Sequence, residues 1–280
     1  EELFGQVLDR VEGDHSGVFP VAEGLALLAA SRSGLSEREL LELLGGEVTQ
    51  LAWARVHRSL SPYLVQRGEL LDFAHRTLWK AVKARYGDES QRHQRLADHF
   101  LTADIDRRVT ERPWQLEQAE AWEALKDELV TLEVMEWFNS RNSAHEWFTC
   151  WKPLEGKYEP GPSCLDAARA ATDDSRAMAQ ANGAGMLLYA AGTYDWALRL
   201  YELALSRSEA QPGGDQLGTA RYLTNLAELH RATGRYELAL PLYLRAVTVY
   251  RAQLGLEHAE TANCFNNLAG LYQSMGQYER

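Results

Sequence analysis

What this chain lacks narrows it quickly. It has three cysteines in 280 residues, Cys150, Cys164 and Cys264, and no C-x-x-C pair. That set excludes a disulfide framework or a zinc ribbon and fits the reduced thiols of a cytoplasmic protein. There is no apolar run long enough to span a bilayer and no signal peptide, so no membrane role is expected. Positive charge is not in excess either, and a net charge of −11 argues against a general nucleic-acid binder. The phosphate-cradling loop G-x-x-x-x-G-K-[ST] is missing, as is an acid-ended Walker B strand. No acid, base and nucleophile converge anywhere in the pattern.

The fragments of chemistry that remain do not assemble. His145-Glu146 opens an H-E-x-x-H zinc signature, but its second histidine position holds Thr149. His93 and His99 fall ~240° apart around a helix, so they share no ligand face. Asp104-Ile105-Asp106 stands beside Arg107-Arg108 and reads as an ion-paired turn. No metal site, no cofactor of its own and no enzymatic activity are expected of this chain by itself.

What is there is ordinary globular composition, 45% hydrophobic and 25% charged, with an uneven charge. Residues 1–54 carry 3 basic and 10 acidic side chains, net −7, whereas residues 55–112 carry 12 and 8, net +4. In the acidic part, Leu3, Val7, Leu8 and Val11 with Phe4 form a helical stripe. A Leu- and Ala-dense helix follows over Val21–Ala30, with Pro20 suited to its first turn. Ser36 and Glu39 form a capping box ahead of Leu40, Leu41, Leu43 and Leu44, and Gly45-Gly46 ends that helix. A third helix is expected from Val48 to Leu60, stopped by Pro62. In the basic part, Tyr63-Leu64-Val65-Gln66 and Leu70-Leu71-Asp72-Phe73 flank Arg67-Gly68-Glu69, a β-hairpin pattern. A helix starts near His75 with Leu78, Trp79 and Val82 on one side, and another spans Asp88–Asp104 with Leu96, Phe100 and Leu101 inward.

Helices followed by a small hairpin describe a winged helix. The residues Leu27–Leu40, with Leu71-Asp72-Phe73-Ala74-His75-Arg76-Thr77-Leu78, resemble one such module. It is the one that follows the nucleotide-binding core in STAND-type signalling NTPases of the NACHT and NB-ARC kind. The resemblance implies that His75, in Phe73-Ala74-His75, approaches the phosphates of bound ADP and helps hold a resting state; an imidazole donor beside a phosphate suits that role. It also implies that ATP or ADP belongs to a parent protein whose core lies upstream of Glu1. From the residue alone, His75 reads first as a half-buried histidine at a strand–helix junction; the resemblance brings the two readings level.

From Pro113 onward, Trp114-Gln115-Leu116 and Trp122-Glu123-Ala124-Leu125, then Leu129, Leu132, Val134 and Met135, give a helical hairpin pattern. It resembles the irregular repeat that links winged helix to repeats in the same NTPases. Trp114, Trp122, Trp137, Trp147 and Trp151 read as packing residues, because their neighbourhood is acidic rather than basic. Residues 152–164 read as a loop and a seam.

The C-terminal part repeats. Gly192-Thr193-Tyr194, Gly234-Arg235-Tyr236 and Gly276-Gln277-Tyr278 recur at a constant interval of 42 residues, the mark of a solenoid. In the complete copy, Ala220, Leu223, Leu226, Ala227 and His230 share one helical face. Tyr236, Ala239, Leu240, Tyr243, Ala246, Val247 and Tyr250 share the next. Such a unit must stack to bury its face. The pattern resembles the tetratricopeptide repeat in a form eight residues longer than usual, as in kinesin light chains, with the extra length in Arg251–Glu260. Asn225-Leu226-Ala227 and Asn267-Leu268-Ala269 match its signature, and Gly183-Ala184-Gly185-Met186 is a degenerate copy. Asn225 and Asn267 lie ~160° from the apolar face centre and line up one period apart. In the resembling family that asparagine faces the concave groove and bonds a peptide backbone, for which an amide has donor and acceptor. Ordinary exposed or locally bonded asparagines would look the same. Thr224 and Tyr222 are weaker candidates for the same surface.

The expected fold is therefore mainly α: a winged-helix-like domain over 1–110 with a small β-hairpin, irregular helical hairpins over 111–176, and tetratricopeptide repeats over 177–280. The chain is expected to be a piece of a longer protein, with further repeats to follow. Its expected role is the regulatory part of a STAND-type ATPase. The repeats would sense a protein or peptide in their concave face, and the missing core would mediate any oligomerisation. A plain repeat adaptor, or a DNA-binding winged-helix regulator with repeats, is the alternative.

Overall fold

The structure is a computed structural model that describes residues 2–45, 48–87, 90–211 and 213–276. It divides into two compact units, Glu1–Leu125 and Lys126–Arg280, and is mainly helical. In the first, α1 (Glu2–Asp14) and α2 (Val21–Ala30) precede β1 (Leu35–Ser36), α3 (Glu37–Leu44) and α4 (Gln50–Leu60). Then come β2 (Leu64–Arg67), β3 (Leu70–Phe73), α5 (Arg76–Tyr86), α6 (Ser90–Phe100) and α7 (Ile105–Gln118), with α8 (Trp122–Leu129) carrying the boundary. The strands form one antiparallel sheet in the order β1-β3-β2.

Local chemistry explains most of these ends. Ser36 Oγ accepts from Glu39 N at 3.1 Å while Glu39 Oε2 accepts from Ser36 N at 2.7 Å, the reciprocal capping box that starts α3. Thr49 Oγ1 accepts from Ala52 N and opens α4. Pro20 sits at the N-cap of α2 rather than inside its first turn. The hairpin turns on Gly68, and β1 adds a third strand that the two-residue match Leu35↔Leu71 and Ser36↔Leu70 was too short to announce. Gly34 makes that third strand possible: its φ is +87°, and a Cβ there would collide with the Leu71 carbonyl oxygen.

The first core gathers Leu8, Val11, Leu27, Leu35, Leu40, Val56, Leu71, Leu78, Val82, Leu96 and Phe100. Burying each such side chain contributes roughly 1.5–3 kcal/mol before the entropy of ordering is deducted. Leu41, Leu43 and Leu44 pack only partly against it. Two expectations are corrected here. Leu101 points outward, 44% exposed, because α6 ends at Phe100 and releases it from the helical face. The helix carrying Pro113 begins at Ile105, not at the proline, with Asp104 Oδ1 capping Arg107 N at 3.0 Å. Expected helical residues 88–89, the Gly46 stop and the side chain of Leu3 lie outside what is described.

The second unit continues as α9 (Leu132–Ser140), α10 (Ala144–Trp151), a 3-10 turn at Lys152–Leu154, α11 (Pro160–Ala170) and α12 (Asp174–Ala190). It ends with α13 (Tyr194–Glu209), α14 (Gln216–Ala232), α15 (Tyr236–Leu254) and α16 (Ala259–Ser274). The loop expected over 152–164 shrinks to residues 155–159. Pro160 and Pro162 start α11, where a proline costs no helical hydrogen bond, and Leu154 and Cys164 are fully buried. From α11 to α16 each helix packs on the next, a solenoid. Gly192 and Gly234, at φ +76° and +74°, turn one helix of a pair into the other. Gly276 repeats that conformation at +73°, while Gln277 and Tyr278, the rest of the third echo, lie outside the described residues. Ala220, Leu223, Ala227, Ala239, Tyr243 and Ala246 are buried, alternating small and large as the period requires.

Candidate functional site

A cavity of about 290 Å3 opens on the repeat unit where α9 and α10 meet α12, α13 and α14. Phe138, Leu187, Tyr189 and Tyr201 give it an apolar wall, Met186 stands 39% exposed at it, and Asn225 and Glu228 supply polar atoms. Gly185 permits this arrangement: a Cβ there would lie 2.6 Å from the Tyr201 ring, so the copy that looks degenerate in sequence is the one whose helix approaches closely.

Asn225 is half-buried, and its Nδ2 donates to Asn182 Oδ1 at 2.7 Å. One of the two N–H donors of the amide is therefore occupied within the protein; the other, and Oδ1, have no partner among the described residues. Asn182, 7% exposed, extends the asparagine row by one helix. The repeat pattern does not reveal it, because it stands one residue out of register with the 42-residue period. Asn267, on α16, is half-buried with no hydrogen-bond partner among the described residues. Thr224 Oγ1 donates back to Ala220 O at 2.9 Å and lies 3.9 Å from Cys264 Sγ, so it ties α14 to α16. Tyr222 is 9% exposed and faces the interior more than the surface.

Glu228 is the polar centre of this site. Tyr243 donates to Oε2 at 2.6 Å, Tyr189 to Oε1 at 3.3 Å, and Arg231 to both oxygens. Burial works to raise its pKa, but the bonds from Arg231 and Tyr243 outweigh it and hold the carboxyl below its usual value. Burial, with the Glu228 charge second, pushes the Tyr189 hydroxyl up. His230 is buried, and desolvation, then Arg235, lowers its pKa. The arrangement is a pocket with an apolar wall and fixed polar groups at its rim.

In the first unit, His75 is exposed at the N-cap of α5, and its side chain makes no cap hydrogen bond. Its imidazole makes no hydrogen bond among the described residues. The notion of a half-buried junction histidine does not describe it. No group of three or more His, Cys, Asp or Glu side chains could hold a metal ion, and no helix is long and apolar enough to cross a membrane, among the described residues.

The sequence profile of the tetratricopeptide repeat matches residues 175–252 and 222–280. A TPR repeat-containing protein of Dictyostelium discoideum is 29% identical over 174 residues, covering 57% of this chain and 10% of that protein. The human NACHT domain- and WD repeat-containing protein 1 is 35% identical over 127 residues, covering 36% of this chain and 8% of that protein. The chain thus spans a tenth or less of the length of these curated relatives. A solved Signal Transduction ATPase with Numerous Domains, carrying a tetratricopeptide repeat sensor, from Pyrococcus horikoshii, is 15% identical. The match covers 92% of this chain and 49% of that one, at a TM-score of 0.35. By the profile match and the stacked helix pairs, residues 175–280 form a tetratricopeptide-repeat array.

Proposed function

We propose that this chain is the regulatory and protein-binding part of a STAND-type signal-transduction ATPase. Its repeats take a protein or peptide partner, and its winged helix gates the nucleotide state. One observation carries the reading of the repeats: the apolar cavity is rimmed by Asn225, which Asn182 holds through one N–H and whose Oδ1 has no partner among the described residues. A fixed acceptor over an apolar pocket suits a peptide N–H flanked by an apolar side chain. The human relative is named for a NACHT domain, which supports placing these repeats beside a nucleotide-binding core.

His75 is the residue through which the winged helix would hold ADP, as a donor to its phosphates. The nucleotide supplies the phosphate charge, and the chemistry of hydrolysis belongs to a core elsewhere. This chain's own contribution is one exposed imidazole at the start of α5.

The test uses a peptide selected on the full chain from a display library. Asn225→Ala with Asn267→Ala removes two acceptors, each worth about 0.5–1.5 kcal/mol, so affinity should fall about tenfold while the helical circular dichroism is kept. Equal affinity would reject the asparagine row. In the full-length protein, His75→Ala should speed ADP release; an unchanged release rate would remove the gating role and leave a repeat adaptor.

A further inference from the structure

The first unit carries a second cleft, of about 490 Å3, framed by the end of α2, the β2–β3 hairpin, α5 and α7. Its chemistry differs from the rest of the unit. Five arginines elsewhere in the unit are paired: Arg38 with Glu42, Arg85 with Asp9 and Glu12, Arg92 and Arg95 with Glu23, and Arg107 with Glu39 and Glu111. Arg67 and Arg76 line this cleft, both exposed, with no ion pair among the described residues. Arg32, whose Nη1 donates to Thr110 O at 3.0 Å, and Lys83, whose Nζ lies 4.8 Å from the centroid of the Trp79 ring, bring the cations on the lining to four. The lone acid on the lining, Asp72, already accepts from Phe73 N at 2.7 Å.

The walls are aromatic and fixed. Trp79 Nε1 donates to Ala29 O at 3.0 Å, and Trp114 stands edge-on to His93 with ring centroids 5.5 Å apart. Two half-buried indoles beside Arg67 and Arg76 are surfaces made for a ligand with both negative charge and apolar body. The cleft is open to solvent on its sides, which suits a chain passing through more than a small molecule enclosed. Duplex DNA fits poorly: beyond β3 the adjacent cleft presents Glu39, Glu42, Glu69 and Asp104, which a long phosphate backbone would meet.

We propose that this cleft docks an extended acidic peptide, whose carboxylates pair with Arg67 and Arg76 and whose intervening apolar side chains lie on Trp79 and Trp114. Bidentate arginine–carboxylate pairs give the geometry, and the desolvated indoles give most of the contact. The site is separate from the repeat cavity and stands whether or not that cavity binds a peptide.

The experiment titrates the full chain with an acetylated, amidated hexapeptide alternating glutamate and leucine, by calorimetry at low and physiological salt. Indole N–H resonances are followed in parallel. The same titration is made with a lysine–leucine analogue, inorganic phosphate, AMP and a short DNA duplex. The glutamate peptide should bind, shift two indole resonances and weaken as salt rises, while the lysine analogue stays silent. Arg67→Glu with Arg76→Glu should weaken it at least tenfold; if that pair disturbs folding, Arg67→Gln with Arg76→Gln is measured in its place and should weaken binding in the same direction. Absence of binding at millimolar peptide, undiminished binding by the folded double variant, or tighter binding of phosphate, AMP or DNA would each overturn the proposal.

Discussion

In the first unit one carboxylate, Glu111, fully buried on α7, gathers five donors. Arg32 N at 3.1 Å, Ser33 N at 2.8 Å, the Ser33 hydroxyl, Arg107 Nη1 at 3.1 Å and Gln115 Nε2 at 3.3 Å all converge on it. In the second, Glu228 gathers Tyr189, Tyr243 and Arg231, but it is only half-buried and lines the repeat cavity. The same side chain thus serves as a clasp in one place and a rim in the other. The difference is burial and reach. Glu111 binds a loop 78 residues away in sequence, and its charge is compensated only if every donor stays. Glu228 organises neighbouring helices of a periodic stack and keeps access to water.

That contrast is broken most severely at Glu111. Replacing it by alanine leaves the Arg32 and Ser33 amides and one arm of Arg107 without their acceptor, although Arg107 keeps Glu39 and the Gly34 carbonyl. Removing one partner of a buried ion pair costs about 3–5 kcal/mol. Hydrogen exchange should therefore accelerate in residues 31–34 and along α7, with α13 to α15 unaffected. Uniform exchange in wild type and variant would show that the clasp is dispensable.

Gly185→Ala breaks the packing side of the comparison instead. The new methyl would meet the Tyr201 ring at 2.6 Å, and that ring, 2% exposed, would have to shift into the cavity it lines. Overpacking of this kind costs about 1–3 kcal/mol. Denaturant unfolding followed by a probe in the second unit should show the loss, and protection in α12 and α13 should fall together. A neutral effect would mean that the ring relaxes and that the glycine is not there for close approach.

The two units were also unequally legible in sequence. The repeat unit announced itself because its information is local and periodic: Gly234, Ala239 and Tyr243 follow a rhythm that fixes their faces, and all three stand as that rhythm requires. The capping box at Ser36 and Glu39 was readable for the same reason, its partners being three residues apart. Glu111 was not, since nothing in Glu-Arg-Pro-Trp points to Ser33. The cleft at Arg67 and Arg76 was equally hidden, because four distant segments meet there. Asn182 lay in plain view yet off the period by one residue. Glu228 had a usable signal: it follows Asn225 within the repeat signature, one helical turn away, and a carboxylate at that spacing faces the same groove.

The smallest effect, and the sharpest on the rim, concerns pH. The folded-state pKa of Glu228 is depressed below its ordinary value, burial being outweighed by Arg231 and Tyr243. A depressed carboxyl contributes stability that is present above the unfolded value, about 4.3, and is lost as pH falls through the folded one. Glu228→Gln should therefore cost about 1 kcal/mol near pH 7, the scale of a partly exposed pair with its hydrogen bonds, and nothing once the acid is fully protonated. Tyr243→Phe, which removes the 2.6 Å donor, should raise the pKa of Glu228 and shift the acid limb of wild type toward that of the glutamine variant. Unfolding measured in steps from about pH 7 to about pH 3, across the ordinary carboxylate range, distinguishes the outcomes. If the gap between wild type and Glu228→Gln is as wide at the acid end as at neutrality, the side chain acts through shape rather than charge. The polar rim would then be a packing element like Tyr201, and only Asn225 would remain to orient a peptide.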